Sequence, residues 1–372
     1  MRRLSSAEQQ GSVAYGQFSG EESKLVQPQD LRRFVDELCR ALGADAEIAA
    51  EVARHLVAAN LAGHDSHGVL RMAQYARGAD QGDLVPSARP EISRERGATT
   101  LFDAHHGFGH FSTRVACEWA AERAREQGVA AAAIRHSSHI GRLGDYAERL
   151  AGQGLVGVVT VGMAGSNWRL TVLPGTGQRF LGANPWAFGI PDARGEPVVV
   201  DISTSMVAEG KLRVARAKNE PVPEGWIVDA EGRPSRDPND FYAGGGLLPL
   251  GGVVAGHKGY GLGLASVLCG ALAQIGDTEP GAAPRDADQL SLNGVFLTAI
   301  DPEAFGGRAA YAGLVAEVAD AVKTVPGVDG EVRMPGDIER ANRIRREQAI
   351  PLPGPTWQDL VELGSRFGVA AP

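Results

Sequence analysis

Gly152-Gln153-Gly154-Leu155-Val156-Gly157 matches the dinucleotide fingerprint G-x-G-x-x-G letter for letter, and its setting decides the fold. In a Rossmann unit the glycines follow a strand and open a helix, so that helix N–H groups face the pyrophosphate. Here the order is reversed. The glycines close a short helix that runs from Gly141 to Gln153 and then enter an apolar strand, Leu155 to Val161. No Rossmann loop is expected. Working outward, Val129 to Ile134, Pro197 to Ser203 and Asn293 to Asp301 also read as strands. Before them, Leu31, Phe34, Val35, Leu38, Cys39 and Leu42 recur at helical spacing up to Gly43, and Asp45 caps a second helix toward Gly63. Ser112 is expected to cap a further helix that ends at Gly128. Lys258 to Ile275 reads as an apolar, Gly-rich helix packed on most sides. The chain is mainly helical again beyond Asp301. This pattern predicts a helical domain assembled from both termini around a central sheet domain.

Composition narrows the function classes. The 372 residues are 43% hydrophobic and 22% charged, the profile of a globular protein with a sizeable core. A net charge of −8 argues against a nucleic-acid surface. No apolar run reaches the roughly 18 residues of a membrane span. The start, Met1-Arg2-Arg3, continues into polar residues, so no signal peptide is expected. The three cysteines, Cys39, Cys117 and Cys269, cannot pair completely and sit in helix-like stretches. A reduced, cytoplasmic protein is the corresponding expectation.

Two further patterns fail on chemistry. Gly251-Gly252-Val253-Val254-Ala255-Gly256-His257-Lys258 resembles a P-loop, but His257 interrupts Gly-Lys and no hydroxyl follows to hold magnesium. The histidines crowd between His55 and His139. His64/His67 and His136/His139 have three-residue spacing that one helical face could carry. Yet there is no H-E-x-x-H and no Cys or carboxylate at ligand spacing, so no metal site is expected.

Four stretches survive. Gly63-His64-Asp65-Ser66-His67-Gly68-Val69-Leu70-Arg71 is dense in donors. Asp65 or Ser66 could simply cap the helix that begins near Val69. His67 and Arg71, four apart, would otherwise share a helical face, where Arg grips a carboxylate and His moves a proton. Ser137-Ser138-His139-Ile140-Gly141-Arg142 follows a buried strand and is either a capping turn or a catalytic presentation. Asp201-Ile202-Ser203-Thr204-Ser205 is either a hydroxyl turn or a phosphate or ribose contact. Gly256 to Gly261 places Lys258 among glycines, which reads either as a ligand contact or as tight helix packing.

Together these residues resemble the malate/L-lactate dehydrogenase family of the non-Rossmann type. The matching strings are His64–Arg71, Ser138–Gly141, Gly182–Pro185, Asp201–Ser205, Pro223–Trp226, His257–Gly261 and Pro335–Asp337, in family order over nearly the whole chain. The resemblance implies an α+β fold in which a largely antiparallel central sheet binds NAD or NADP, a helical domain from both termini, and a homodimer. With it the chain divides into a disordered extension (1–26), a helical domain (27–85 with 305–372) and a sheet-containing, cofactor-binding domain (86–304). It implies Ser66, His67 and Arg71 as substrate-pocket residues and His139 as the acid/base, with His67 the alternative histidine for the proton transfer and Arg142 close by for a second substrate carboxylate or for structure. Asn184 and Pro185 would neighbour the nicotinamide. Asp201, Ser203, Thr204, Ser205, His257, Lys258, Pro335, Gly336 and Asp337 would form the cofactor cradle. The stretch Gly162–Trp168 departs from the family pattern at a place that touches substrate in several members, which leaves the substrate open. The implied activity is reversible hydride transfer between NAD(P) and C2 of a 2-hydroxy or 2-oxo acid. Reduction of cyclic imine 2-carboxylates and, from another class, metal-dependent hydrolysis by the histidine cluster are the alternatives.

Overall fold

The computed structural model describes residues 23–162, 169–275, 293–328 and 330–372. Its helices are α1 Pro28–Ala41, α2 Ala46–Leu61, α3 Met72–Gln81, α4 Gly109–Gln127, α5 Leu143–Ala151, α6 Glu209–Lys218, α7 Pro238–Tyr242, α8 Gly252–Ala271, α9 Arg308–Lys323, α10 Asp337–Arg346 and α11 Gly354–Phe367. Among the described residues the largest sheet has seven strands. In spatial order these are β2 (Glu91–Arg96), β3 (Thr99–Asp103), β4 (Val129–Ser137), β13 (Asn293–Ile300), β5 (Val156–Gly162), β8 (Trp186–Ile190) and β9 (Val198–Ile202). Only β3 and β4, joined by α4, run parallel; every other pairing in this sheet is antiparallel. The glycine-rich string therefore joins α5 to an antiparallel strand, the reverse of a Rossmann unit.

Alternation along the strands sorts the two faces. Val295, Leu297 and Ala299 of β13, with Val159 of β5, pack under α4 and α5. The opposite face receives α8, and here glycines set the distance. A Cβ on Gly270 would lie 2.6 Å from the Gly162 carbonyl oxygen and 2.7 Å from that of Gly294, so α8 touches the sheet backbone directly. Among the described residues the other side of α8 is open: Val254 is 89% exposed, and Val253, Leu262 and Leu268 are also exposed. The expectation that this helix is packed on most sides is thus corrected. Its inner face is packed and its outer face is bare.

Asp45 caps α2 by accepting from the amides of Glu47 and Ile48, as its position suggested. The helical core draws Leu31, Phe34 and Leu56 from the front of the chain and Ile350, Leu352, Leu360 and Leu363 from its end. Beside it, β1 (Lys24–Val26) pairs antiparallel with β14 (Ile350–Leu352). Residues 24–26 are therefore strand rather than the tail of a disordered extension; residues 1–22 lie outside the described residues. A five-stranded sheet of short strands, in the order β11 (Pro234–Ser235), β10 (Ile227–Val228), β12 (Gly246–Leu247), β6 (Thr171–Val172) and β7 (Arg179–Leu181), packs with α6 and α7 around Leu212, Ile227 and Phe241. No described helix is long and apolar enough to cross a membrane.

Candidate active site

The first polar knot folds as two short 3-10 turns, Asp65–His67 and Val69–Arg71, rather than as the start of one helix. Neither Asp65 nor Ser66 caps it. The Val69 amide donates instead to Asn60 Oδ1 at 2.9 Å. Asp65 turns inward to accept from Arg346 at 2.7 Å and from Asn60 at 2.7 Å, a buried ion pair that ties the knot to α10. That frees the other side of the turn. Ser66 is exposed and its Oγ lies 3.0 Å from His67 Nδ1. Arg71 donates through Nε to the Ser66 carbonyl at 2.7 Å and through Nη1 to Gln74 Oε1 at 2.9 Å. Among the described residues it has no carboxylate in ion-pair contact, and burial lowers its pKa.

The second knot begins inside β4, which runs on through Ser137. The two three-residue histidine pairs do not share faces. His64 turns to Glu339 (3.0 Å) and His136 to Asp103 (3.0 Å), while His67 and His139 stack on one another with ring centroids 5.7 Å apart. Burial, reinforced by the Arg71 charge, pushes His67 down to about 3 and His139 well below the usual histidine value. Both imidazoles are therefore neutral at physiological pH, beside a guanidinium that no carboxylate of the described residues contacts. His139 Nδ1 lies 2.8 Å from the hydroxyl of Tyr75, a fully buried residue of α3. That leaves Nε2 of His139 as the nitrogen available to a substrate.

Tyr75 is the contact that sequence reading missed, and His110 stands behind it with Nε2 3.3 Å from the same hydroxyl. His110 sits in the first turn of α4, which starts at Gly109, so Ser112 is an interior residue of that turn and not its cap. A Cβ on Gly109 would lie 2.4 Å from the Ser138 carbonyl oxygen, which is how α4 comes so close to His139. Gly141, at φ +73°, turns the chain where any Cβ would strike Nε2 of both His55 and His110. The Arg142 amide donates to His55 Nε2 at 2.9 Å, so His55 carries its proton on Nδ1, which faces Asp145 at 3.4 Å.

Glu51, His55 and Asp145 bring ligand-type atoms within 4.8 Å of one another, the one such group among the described residues. Arg54 already neutralises it, donating to Glu51 at 2.8 Å and to Asp145 at 2.5 Å. Arg149 reaches Glu51 as well, at 3.2 Å. A cluster holding its own cations disfavours a metal.

Arg142 is 3% exposed and its guanidinium faces Asp201 (3.4 Å) and Glu148 (3.7 Å). Asp201 also accepts from the Gly144 amide at 2.8 Å, so it anchors the start of α5. The hydroxyls beyond it are bonded within the chain. Ser203 and Thr204 donate to the Ala183 carbonyl, and Ser205 donates to that of Val207. Thr160 and Thr171 donate to the carbonyls of Pro185 and Gly182. Five hydroxyls thus surround the loop Gly182–Pro185, four of them bonded to it, and Asn184 stands in it at φ +38° with a buried Oδ1 that has no hydrogen-bond partner. Leu250 links this region to α8: its amide donates to the Thr204 carbonyl and its carbonyl accepts from Gly259. His257 and Lys258 lie exposed on that first part of α8, with Gly256 and Gly259 packed beneath. Pro335, Gly336 and Asp337 are set apart. The Pro335 carbonyl accepts from Val199, at the other end of β9, and Asp337 is engaged by Arg340 and by the Met334 amide. The segment 163–168, where the family pattern is broken, lies outside the described residues.

A sequence model of the malate/L-lactate dehydrogenase family matches residues 26–361. The chain belongs to this family, and so to the oxidoreductases. Hydroxycarboxylate dehydrogenase B of Escherichia coli O157:H7 is 34% identical over 345 residues, covering 92% of this chain and 94% of that protein. The sulfolactate dehydrogenase structure from Methanocaldococcus jannaschii superposes with a TM-score of 0.83 at 29% identity, covering 94% of this chain and 98% of that one. The delta1-piperideine-2-carboxylate reductase structure from Pseudomonas syringae pvar. tomato gives 0.79 at 29% identity, over 91% and 99%.

Proposed function

We propose that the protein is an NAD(P)-dependent 2-hydroxy acid dehydrogenase acting on malate- or lactate-like carboxylates. One observation carries this reading: Arg71, with no carboxylate partner among the described residues, lies beside two imidazoles held neutral. A guanidinium without a counter-ion invites the substrate's carboxylate, which it can grip bidentately. Family membership supports the redox chemistry.

In this reading Arg71, Ser66 and His67 orient the substrate, and His139 Nε2 takes the C2 hydroxyl proton during oxidation and returns it during reduction. The nicotinamide of the cofactor supplies or takes up the hydride at C2. Asn184 fits such a group, since its buried Oδ1 lacks a donor and a carboxamide N–H could provide one. The Ser203 and Thr204 hydroxyls are bonded to the Ala183 carbonyl, so their part is to fix the Gly182–Pro185 loop, while Ser205 holds its own turn through Val207. Asp201 orders α5, and Arg142 in turn holds Asp201. His257 and Lys258 would meet the cofactor's phosphates or ribose, with Pro335–Asp337 at the far end of β9. The bare apolar face of α8 would be covered in a homodimer.

The test is NADH and NADPH oxidation against a panel of 2-oxo acids and cyclic imine 2-carboxylates, for the native protein and Arg71→Ala. Turnover of a 2-oxo acid, with KM raised roughly 10- to 150-fold in the variant, is expected for a lost charged hydrogen bond. Turnover of cyclic imines alone would replace the 2-oxo acid reading, and an unchanged KM would remove Arg71 from the substrate.

A further inference from the structure

We propose that His110 is a positioning residue for His139, acting through the Tyr75 hydroxyl to decide which nitrogen of His139 carries the proton. The inference rests on His139 being the acid–base group and deepens that reading. His110 is fully enclosed, so it cannot touch substrate. Its Nε2 and Nδ1 of His139 lie 3.3 and 2.8 Å from one phenolic oxygen. That oxygen has a single proton, which burial holds firmly on Tyr75. It must therefore donate to one imidazole and can accept from the other.

The two arrangements differ in chemistry. If Tyr75 donates to His139 Nδ1, neutral His139 keeps its proton on Nε2 and cannot act as a base there. If Tyr75 donates to His110 Nε2, its oxygen accepts Nδ1–H of His139 and Nε2 is bare. Only the second arrangement presents a base. When Nε2 takes the hydroxyl proton, the imidazolium keeps its Nδ1–H bond to the phenol. When Nε2 returns the proton in reduction, the same neutral tautomer is restored. No proton travels to His110; its role is to hold the Tyr75 proton away from His139. The remaining nitrogen of His110, Nδ1, then carries the ring proton; it is buried and has no hydrogen-bond partner among the described residues. Gly141, pressed against His55 and His110, keeps both rings in place.

The test reads the tautomer directly, by nitrogen-15 NMR of the ring nitrogens in histidine-labelled protein. Native His139 is expected to be protonated on Nδ1, a measurement that needs no variant. In His110→Phe, which keeps bulk but loses the acceptor, the proton should move to Nε2, and kcat for hydroxy acid oxidation should fall on the order of 100-fold. His110→Gln, which offers an amide oxygen to Tyr75, should recover most of the rate. In a Tyr75→Phe background, His110→Phe should cost nothing further, because its route has been cut. Native His139 protonated on Nε2, or rate losses that simply add in the double variant, would overturn the proposal. His139→Ala separates the two failures. If it keeps kcat, the acid–base reading itself fails. If it loses kcat while His110→Phe changes neither tautomer nor rate, that reading stands and the role of His110 falls. Should His110→Phe not fold, the native tautomer and the His110→Gln rate still decide.

Discussion

Around His139 the polar groups are buried or half-buried, neutral and aimed at one another; around Ser203–Ser205 they are spent on the backbone, and Lys258 stands exposed. The first region excludes charge from its imidazoles and leaves a guanidinium that no carboxylate among the described residues contacts. The second is bonded to its own backbone, with one oxygen, on Asn184, unanswered among the described residues. The contrast suggests that proton handling and substrate grip are concentrated near His139, whereas the loop beyond β9 works by shape. Losses should therefore be steep on one side and shallow on the other.

The steepest expected loss is His139→Ala, which should lower kcat by roughly 10²–10⁴ with cofactor binding intact, while His67→Ala acts mainly on substrate KM. Steady-state kinetics on both variants checks it, and the reverse pattern would exchange their roles. Next comes a residue two positions away. Asp65→Asn leaves the Arg346 charge buried without its partner and should cost about 3–5 kcal/mol of stability, read in denaturant unfolding. The purified variant should retain its substrate KM, because Asp65 faces α10 and not the pocket. The third effect is graded. His67, His110 and His139 are all depressed below the ordinary value near 6.5, so above that pH both folded and unfolded chains leave them neutral. Below it only the unfolded chain takes up protons, and stability falls as pH drops from about 6.5 toward about 3. The slope is about 1.4 kcal/mol per pH unit from the enclosed His110 alone, with smaller additions from the half-open pair, and unfolding across pH measures it. The smallest effect belongs to the other region: Lys258→Ala should raise cofactor KM roughly 10-fold, the low end for a charged hydrogen bond, because the ammonium is exposed. No change in a cofactor titration would remove Lys258 from the cradle.

What could be read in advance divides along physical lines. The reversed glycine string excluded a Rossmann unit because helix and strand periodicity are local. The two polar knots stood out because donors are dense where apolar spacing stops. Tyr75 escaped notice as the last residue of an ordinary helical run, and His110 because nothing in its spacing points to Tyr75. Their meeting depends on how α3, α4 and the end of β4 pack. Asp65 resembled a cap because its partner, Arg346, is remote in sequence. The outer face of α8 looked internal because an apolar residue does not disclose what will cover it.

The pairing of β1 with β14 has a consequence for synthesis. Val26 leaves the ribosome 324 residues ahead of Ile350, against which it pairs. At about 5–20 residues per second the first two helices wait on the order of 15–60 s for the segments that close their core. During that interval the apolar faces carrying Phe34, Leu38 and Leu56 have only each other and nearby core residues such as Met72, Tyr75 and Phe108 for cover, which makes this part of the nascent chain a natural client for chaperones.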